Sequence, residues 1–72
     1  MTEAHNCIRV NGEDEALAVA TLVALLESKA IDPTQRGIAV ALNGAVVPRA
    51  AWPDTALAPG DRVEIVRARQ GG

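Results

Sequence analysis

The chain has 72 residues and a formal net charge of −2, and 49% of it is hydrophobic, although 14 of those residues are alanine and Trp52 is the lone aromatic. Such a length makes one small domain that buries about 60% of its unfolded surface. It holds one cysteine, which excludes a disulfide framework or a zinc site, while a pI of 5.2 without stacking aromatics argues against nucleic acid.

Met1 to Asn6 is polar, is no signal peptide and is expected to fray. Cys7-Ile8-Arg9-Val10 alternates, so Ile8 and Val10 share one strand face. Asn11-Gly12 supplies a two-residue hairpin turn, and a short, weak return strand follows within 13–18. Val19, Leu22, Val23, Leu26 and Ala30 then recur at helical spacing, with Leu25 widening the stripe and Thr21 as N-cap. Glu27 and Lys29 should face solvent, and Asp32-Pro33 should stop this helix of two to three turns.

Ile38, Val40 and Leu42 alternate with Ala39, Ala41 and Asn43, which marks a strand. Asn43-Gly44 repeats the hairpin signal, and Ala45-Val46-Val47 returns until Pro48 ends its ladder. Arg49 to Pro59 has no clean period, with a short 3₁₀ piece expected around Trp52. Pro59-Gly60-Asp61 is a turn, and Arg62 to Arg67 is a last strand with Val63 and Ile65 inward. Ala68 to Gly72 has nothing to bury. The order is strand, strand, helix, strand, strand, strand. One helix can cover only one face of such a sheet, so two layers result. The fold class is α+β: a β-grasp (ubiquitin-like) arrangement with a mixed sheet of four to five strands packed on one helix. It forms a single domain over 1–67, and 68–72 is a flexible C-terminal Gly-Gly tail.

Catalytic groupings are absent from this pattern. His5 lies in the frayed end, Asp14 sits in a solvated run of acids, and Ser28 has no base near it. Cys7 reads as a partly buried small residue, and Trp52 as the anchor of the irregular loop rather than an exposed hot spot. The chain is therefore expected to be no enzyme, to bind no cofactor or metal, and to be a free monomer in the cytoplasm with no membrane or nucleic-acid partner. The terminus carries the chemistry. Glycine lacks a Cβ and reaches every backbone conformation, so Gly71-Gly72 can thread a channel that side chains would block. The carboxylate of Gly72 can then attack an α-phosphate held by another protein and become an acyl-adenylate.

From Ile8 to Gly72 the chain resembles the ThiS family of thiamin-pathway sulfur carriers. The likeness rests on Asn11, on 21–26 of the helix, on 38–44 and on Val46-Val47-Pro48-Arg49 with Trp52 following. Leu57, 60–66 and Gly71-Gly72 complete it. The Pro-Arg-x-x-Trp element favours the thiamin type over the molybdopterin type. Arg69 stands where the family carries a branched apolar residue.

The resemblance implies that a ThiF-type enzyme uses ATP and Mg²⁺ to adenylate Gly72. Sulfur from a cysteine desulfurase relay then displaces AMP, and the thiocarboxylate donates sulfur to a ThiG-type thiazole synthase, whose acceptor is a deoxyxylulose phosphate-derived imine. Gly71, Gly72, Gln70, Arg69 and Arg67 would meet these partners, with the outer sheet face as docking surface. Alternatives are sulfur transfer in another pathway (molybdopterin, amino-acid or metabolite thiolation), a ubiquitin-like modifier, or a β-grasp interaction module.

Overall fold

The computed structural model describes residues 6–68. Its elements are β1 (Cys7–Val10), β2 (Glu13–Ala16), α1 (Leu22–Ser28), β3 (Ile38–Leu42), β4 (Ala45–Val46), a 3₁₀ segment (Arg49–Asp54) and β5 (Arg62–Arg67). The strands form one five-stranded sheet in the order β2-β1-β5-β3-β4. β1 and β5 are parallel, and every other neighbouring pair is antiparallel. The helix crosses one face only, which is the β-grasp arrangement expected from the element order.

Both hairpins close where the Asn-Gly pairs predict. Asn11 and Gly12 have φ of 52° and 85°, and Asn43 and Gly44 have 52° and 87°. Positive φ at both central positions gives a two-residue loop the right-handed twist of its strands, and asparagine tolerates it best after glycine. The alternating apolar residues face the helix. Ile8, Val10, Ile38, Val40 and Val63 are buried against Leu22, Leu25, Leu26, Ile31 and Trp52.

The start of α1 is the expected one: the Thr21 hydroxyl accepts from the Ala24 N–H at 3.1 Å. Its end lies earlier than Asp32-Pro33. Ala30 turns to φ 61°, its N–H bonds the Glu27 carbonyl, and the Ile31 N–H reaches back to the Leu26 carbonyl at 2.9 Å. That pair of bonds is a Schellman motif, and it turns the chain so that Ile31 enters the core beside Leu26. Ala30 thus belongs to the stop rather than to the helical stripe. Val19 also precedes α1, and both positions matched the stripe only because spacing does not register where helical φ and ψ cease.

Lys29 corrects the solvent-facing expectation as well. Its Nζ lies 2.7 Å from Glu15 Oε2, and both side chains are about two-thirds covered. The register Ile8↔Glu15 puts Glu15 on the helix face of the sheet, within reach of the end of α1. Arg49 likewise is no free cation. Its guanidinium donates to the Pro33 carbonyl and, at 2.7 Å, to the Gln35 carbonyl, while it stacks 4.6 Å above the Trp52 ring. Trp52 itself is 2% exposed and satisfies its Nε1–H on the Val47 carbonyl at 2.8 Å. As expected, it pins the irregular loop to the core.

Candidate functional site

β5 leads to the terminal glycines, so the site begins with how that strand is held. At its start it is central in the sheet. β1 pairs Arg9 with Arg62 and Val10 with Val63, and β3 flanks the other side throughout. The parallel ladder then ends in a side chain. The Asn11 amide accepts from the Ile65 N–H at 2.8 Å and donates to the Ile65 carbonyl at 3.3 Å, standing in for one further residue of β1. Asn43 braces the same strand from the opposite hairpin: its Oδ1 accepts from the Arg62 N–H at 2.8 Å, and its Nδ2 donates to Asp61 at 3.0 Å.

Beyond Ile65 only β3 pairs with β5 among the described residues. Val66 lies opposite Ala39 and Arg67 opposite Ile38. Among the described residues the last rung falls one residue later, where the Ala68 N–H donates to the Gly37 carbonyl at 2.7 Å. Gly37 has a φ of 83°, a region that side chains avoid. A Cβ there would stand 3.5 Å from both the Cβ and the carbonyl oxygen of Ala68.

The surface around this exit is the sheet face away from the helix. Strand alternation and register bring Ala39 and Ala41 of β3, Val46 of β4, and Glu64 and Val66 of β5 onto it. Val66 is 61% exposed and Val46 77%, and they are the exposed large hydrophobic residues of the described chain. The alanines between them leave a shallow apolar strip with Glu64 on it, while the exposed Arg67, paired with Ile38, alternates to the helix side of the sheet. Toward the start of β5 the same face turns charged, with Arg62 beside the exposed Arg9–Asp14 pair. Cys7 is half-buried there and lines a hollow with Arg9, Asp14 and Arg62.

Among the five residues expected to meet partners, the structure places Arg67, at the end of β5. Arg69, Gln70, Gly71 and Gly72 lie outside the described residues. No cluster of three or more His, Cys, Asp or Glu that could hold a metal occurs among the described residues, and no helix in them is long and apolar enough to cross a membrane. Sequence reasoning missed Gly37 as the partner of the exit, although a glycine directly before a strand was a usable signal. It also read Asn11 and Asn43 only as turn formers, because an amide's long-range partner has no local signature.

Residues 3–72 match the ThiS family. The chain belongs to that family. The fold agrees. A crystal structure of a thiamine biosynthesis protein (ThiS) from Geobacter metallireducens superposes with a TM-score of 0.74 at 29% identity, over 92% of this chain and 99% of that chain. No curated protein sequence matches. Members of the ThiS family are small sulfur carriers rather than catalysts, and the mixed five-stranded sheet with one helix is their β-grasp.

Proposed function

We propose that this chain carries sulfur for thiazole formation in thiamin biosynthesis as a thiocarboxylate on Gly72. The observation that carries the reading is the ThiS family match, which runs through Gly71 and Gly72. The chemistry of the terminus supports it. A carboxylate is a poor acyl donor, since its leaving oxygen would depart as oxide. Attack of a Gly72 carboxylate oxygen on the α-phosphorus of ATP expels pyrophosphate and makes that oxygen part of an AMP leaving group. A nucleophile at the oxidation level of sulfide then adds to the acyl carbon, AMP departs, and –COSH replaces –COOH. Nucleotide and Mg²⁺ belong to a ThiF-type adenylating enzyme, and a ThiG-type thiazole synthase takes the sulfur.

In this scheme the chain supplies an arm and a docking face. Gly71 and Gly72 are the part narrow enough to enter an adenylation channel, and Gln70 and Arg69 line its mouth. The apolar strip of Ala39, Ala41, Val46 and Val66 lies beside the root of the arm, where a partner docked on it would hold the carboxylate near its nucleotide. Arg67, exposed at the end of β5, puts positive charge at the root of the arm, where it would steer an acidic partner surface.

The test is intact mass spectrometry of the Cys7→Ser variant after incubation with a ThiF-type enzyme, ATP·Mg²⁺ and a sulfur source. Without Cys7 every thiol-reactive product must come from the terminus. The expected result is a gain equal to sulfur for oxygen, abolished by deleting Gly72. No gain with an enzyme that modifies another ThiS carrier would overturn the proposal, and higher-mass conjugates would make the chain a modifier instead.

A further inference from the structure

The molecule offers several features besides its terminus: the hollow beside Cys7, the apolar groove along Trp52 and Pro53, and the rung between β5 and the residue before β3. The rung carries an inference that the others do not, because it combines a bond, a backbone conformation and a fixed length of chain. We infer that the Ala68–Gly37 hydrogen bond is the anchor that sets the reach of the C-terminal carboxylate, with Gly37 as its positioning residue. The inference rests on the proposal that Gly72 is the reacting group.

Its basis is the geometry of β5. The rungs Asn43–Arg62 and Gly37–Ala68 bracket the antiparallel ladder, so alternate residues of β5 turn their backbone groups to β3. Ala68 is the last of them among the described residues. On the other side β1 stops pairing at Val63 and the Asn11 amide stops at Ile65, so nothing else described holds the strand beyond that point. Gly37 offers its carbonyl to Ala68 because its φ of 83° turns the chain into β3 at that place. A side chain there would be strained by the positive φ, although its Cβ would meet Ala68 at an ordinary contact distance of 3.5 Å.

Four residues, Arg69 to Gly72, follow the anchor. Fully extended they span about 13–14 Å. The reacting phosphorus of a partner must therefore lie within that distance of Ala68 when the sheet is docked. A shorter arm fails to reach, whereas a longer one arrives at reduced effective concentration, which falls only slowly with length. The anchor predicts an asymmetry that a generally loose tail does not. Freeing the rung adds Arg67 and Ala68 to the arm, so it should repair an arm made too short.

Two measurements test this. The first needs no partner: amide exchange should show Ala68 protected in the native chain and faster in Gly37→Ala. Gly60→Ala is the control. Gly60 has the same kind of backbone, φ 88°, with open space for a Cβ, but it stands at the other end of β5. An unprotected Ala68 amide, or equal acceleration by both variants, overturns the inference whether or not the chain is a carrier.

The second is adenylate formation by a ThiF-type enzyme, followed by pyrophosphate exchange. Deleting Gln70 removes about 3.3 Å of reach and should lower kcat/KM at least tenfold. Ala68→Pro, which deletes the donor, should change it about twofold in the full-length arm. The two together should recover most of the loss caused by the deletion. A double variant no better than the deletion alone, or a deletion without effect, overturns the anchor. A native chain that is never adenylated instead refutes the carrier function, and the exchange result still decides the rung.

Discussion

The two ends of β5 are built on opposite terms. Its start is enclosed: Val63 is 1% exposed, β1 and β3 flank it, and asparagines from both hairpins bond its backbone. Among the described residues its end has one neighbour, and Val66 is 61% exposed. One strand thus changes from a central to an edge position within six residues. The contrast shows how so small a domain can hold firm and still present a terminus. Tertiary contacts are concentrated where the strand must not move, and withdrawn where the proposed arm must leave. Regions with few buried contacts open at lower free energy than the whole molecule.

The largest test of that contrast is a pair of truncations. Val63→Ala should cost roughly 2 kcal/mol, since it removes two buried methyl groups and leaves a cavity. Val66→Ala, on the same strand, should stay within about 0.5 kcal/mol. Chemical denaturation measures both, and equal costs would end the distinction between the two halves.

Asn11→Gly tests the amide that closes the parallel ladder. Glycine keeps the turn, so the loss reports the two bonds to Ile65 alone, about 1 kcal/mol. Exchange of the Ile65 amide should accelerate beyond that of the strand start. Uniform acceleration along β5 would mean that Asn11 supports the fold generally and not this point.

Ala30→Gly should act in the other direction. The left-handed residue of the Schellman motif is strained as alanine, and glycine there should stabilise by roughly 0.5–1 kcal/mol. Amides at the start of β5, which exchange by global unfolding, should slow accordingly, while Ala68, which opens locally, should not. A slowed Ala68 would show that the exit opens only with the whole domain.

Arg67→Ala with Arg69→Ala addresses function rather than stability. Activation by an adenylating enzyme should slow severalfold at low salt and little at high salt, because steering between exposed charges is screened. An unchanged low-salt rate would remove Arg67 from the docking surface.

The smallest expected effect is on pH dependence. The Thr34 hydroxyl and then the Thr34 N–H donate to Asp32, and with Arg49 nearby they hold its carboxyl below the usual carboxylate range. A lowered native pKa gives stability that is present above the unfolded pKa and lost as pH falls through the native one. Asp32→Asn should therefore lower stability slightly at neutral pH, and the difference from the native chain should disappear as pH falls through the native pKa, which flattens the acid limb. This side chain is exposed, so the loss should be small, and a loss that persists or grows at acid pH would contradict the assignment.

Much of the fold was legible because its signals are local. Asn-Gly twice, alternation in 38–42 and 62–67, the Thr21 cap and the Pro-bounded loop around Trp52 each act within a few residues. The end of α1 was not legible in this way. Asp32-Pro33 is a sound stop signal, but the helix ends sooner because Ile31 gains more by entering the core than by extending the helix. Lys29 read as solvent-facing, and the role of Arg49 was not readable, for the same reason: their partners Glu15, Pro33 and Gln35 are distant in sequence.

For the candidate site, the chemistry of Gly71-Gly72 was readable from residue type, since the lack of a Cβ is a property of the residue and not of its surroundings. Arg67 could be assigned to the last strand, but the apolar strip that three strands share on the opposite face could not be read.

By itself, then, the sequence determined the strands, the helix, their order and a terminus suited to acyl chemistry, because backbone preference and hydrophobic period are written residue by residue. Only the tertiary structure decided that Asn11 ends one side of β5, that Gly37 holds its last rung, and that β5 is central at one end and marginal at the other. Those depend on register between strands more than twenty residues apart, and register is set by packing the whole sheet against its helix.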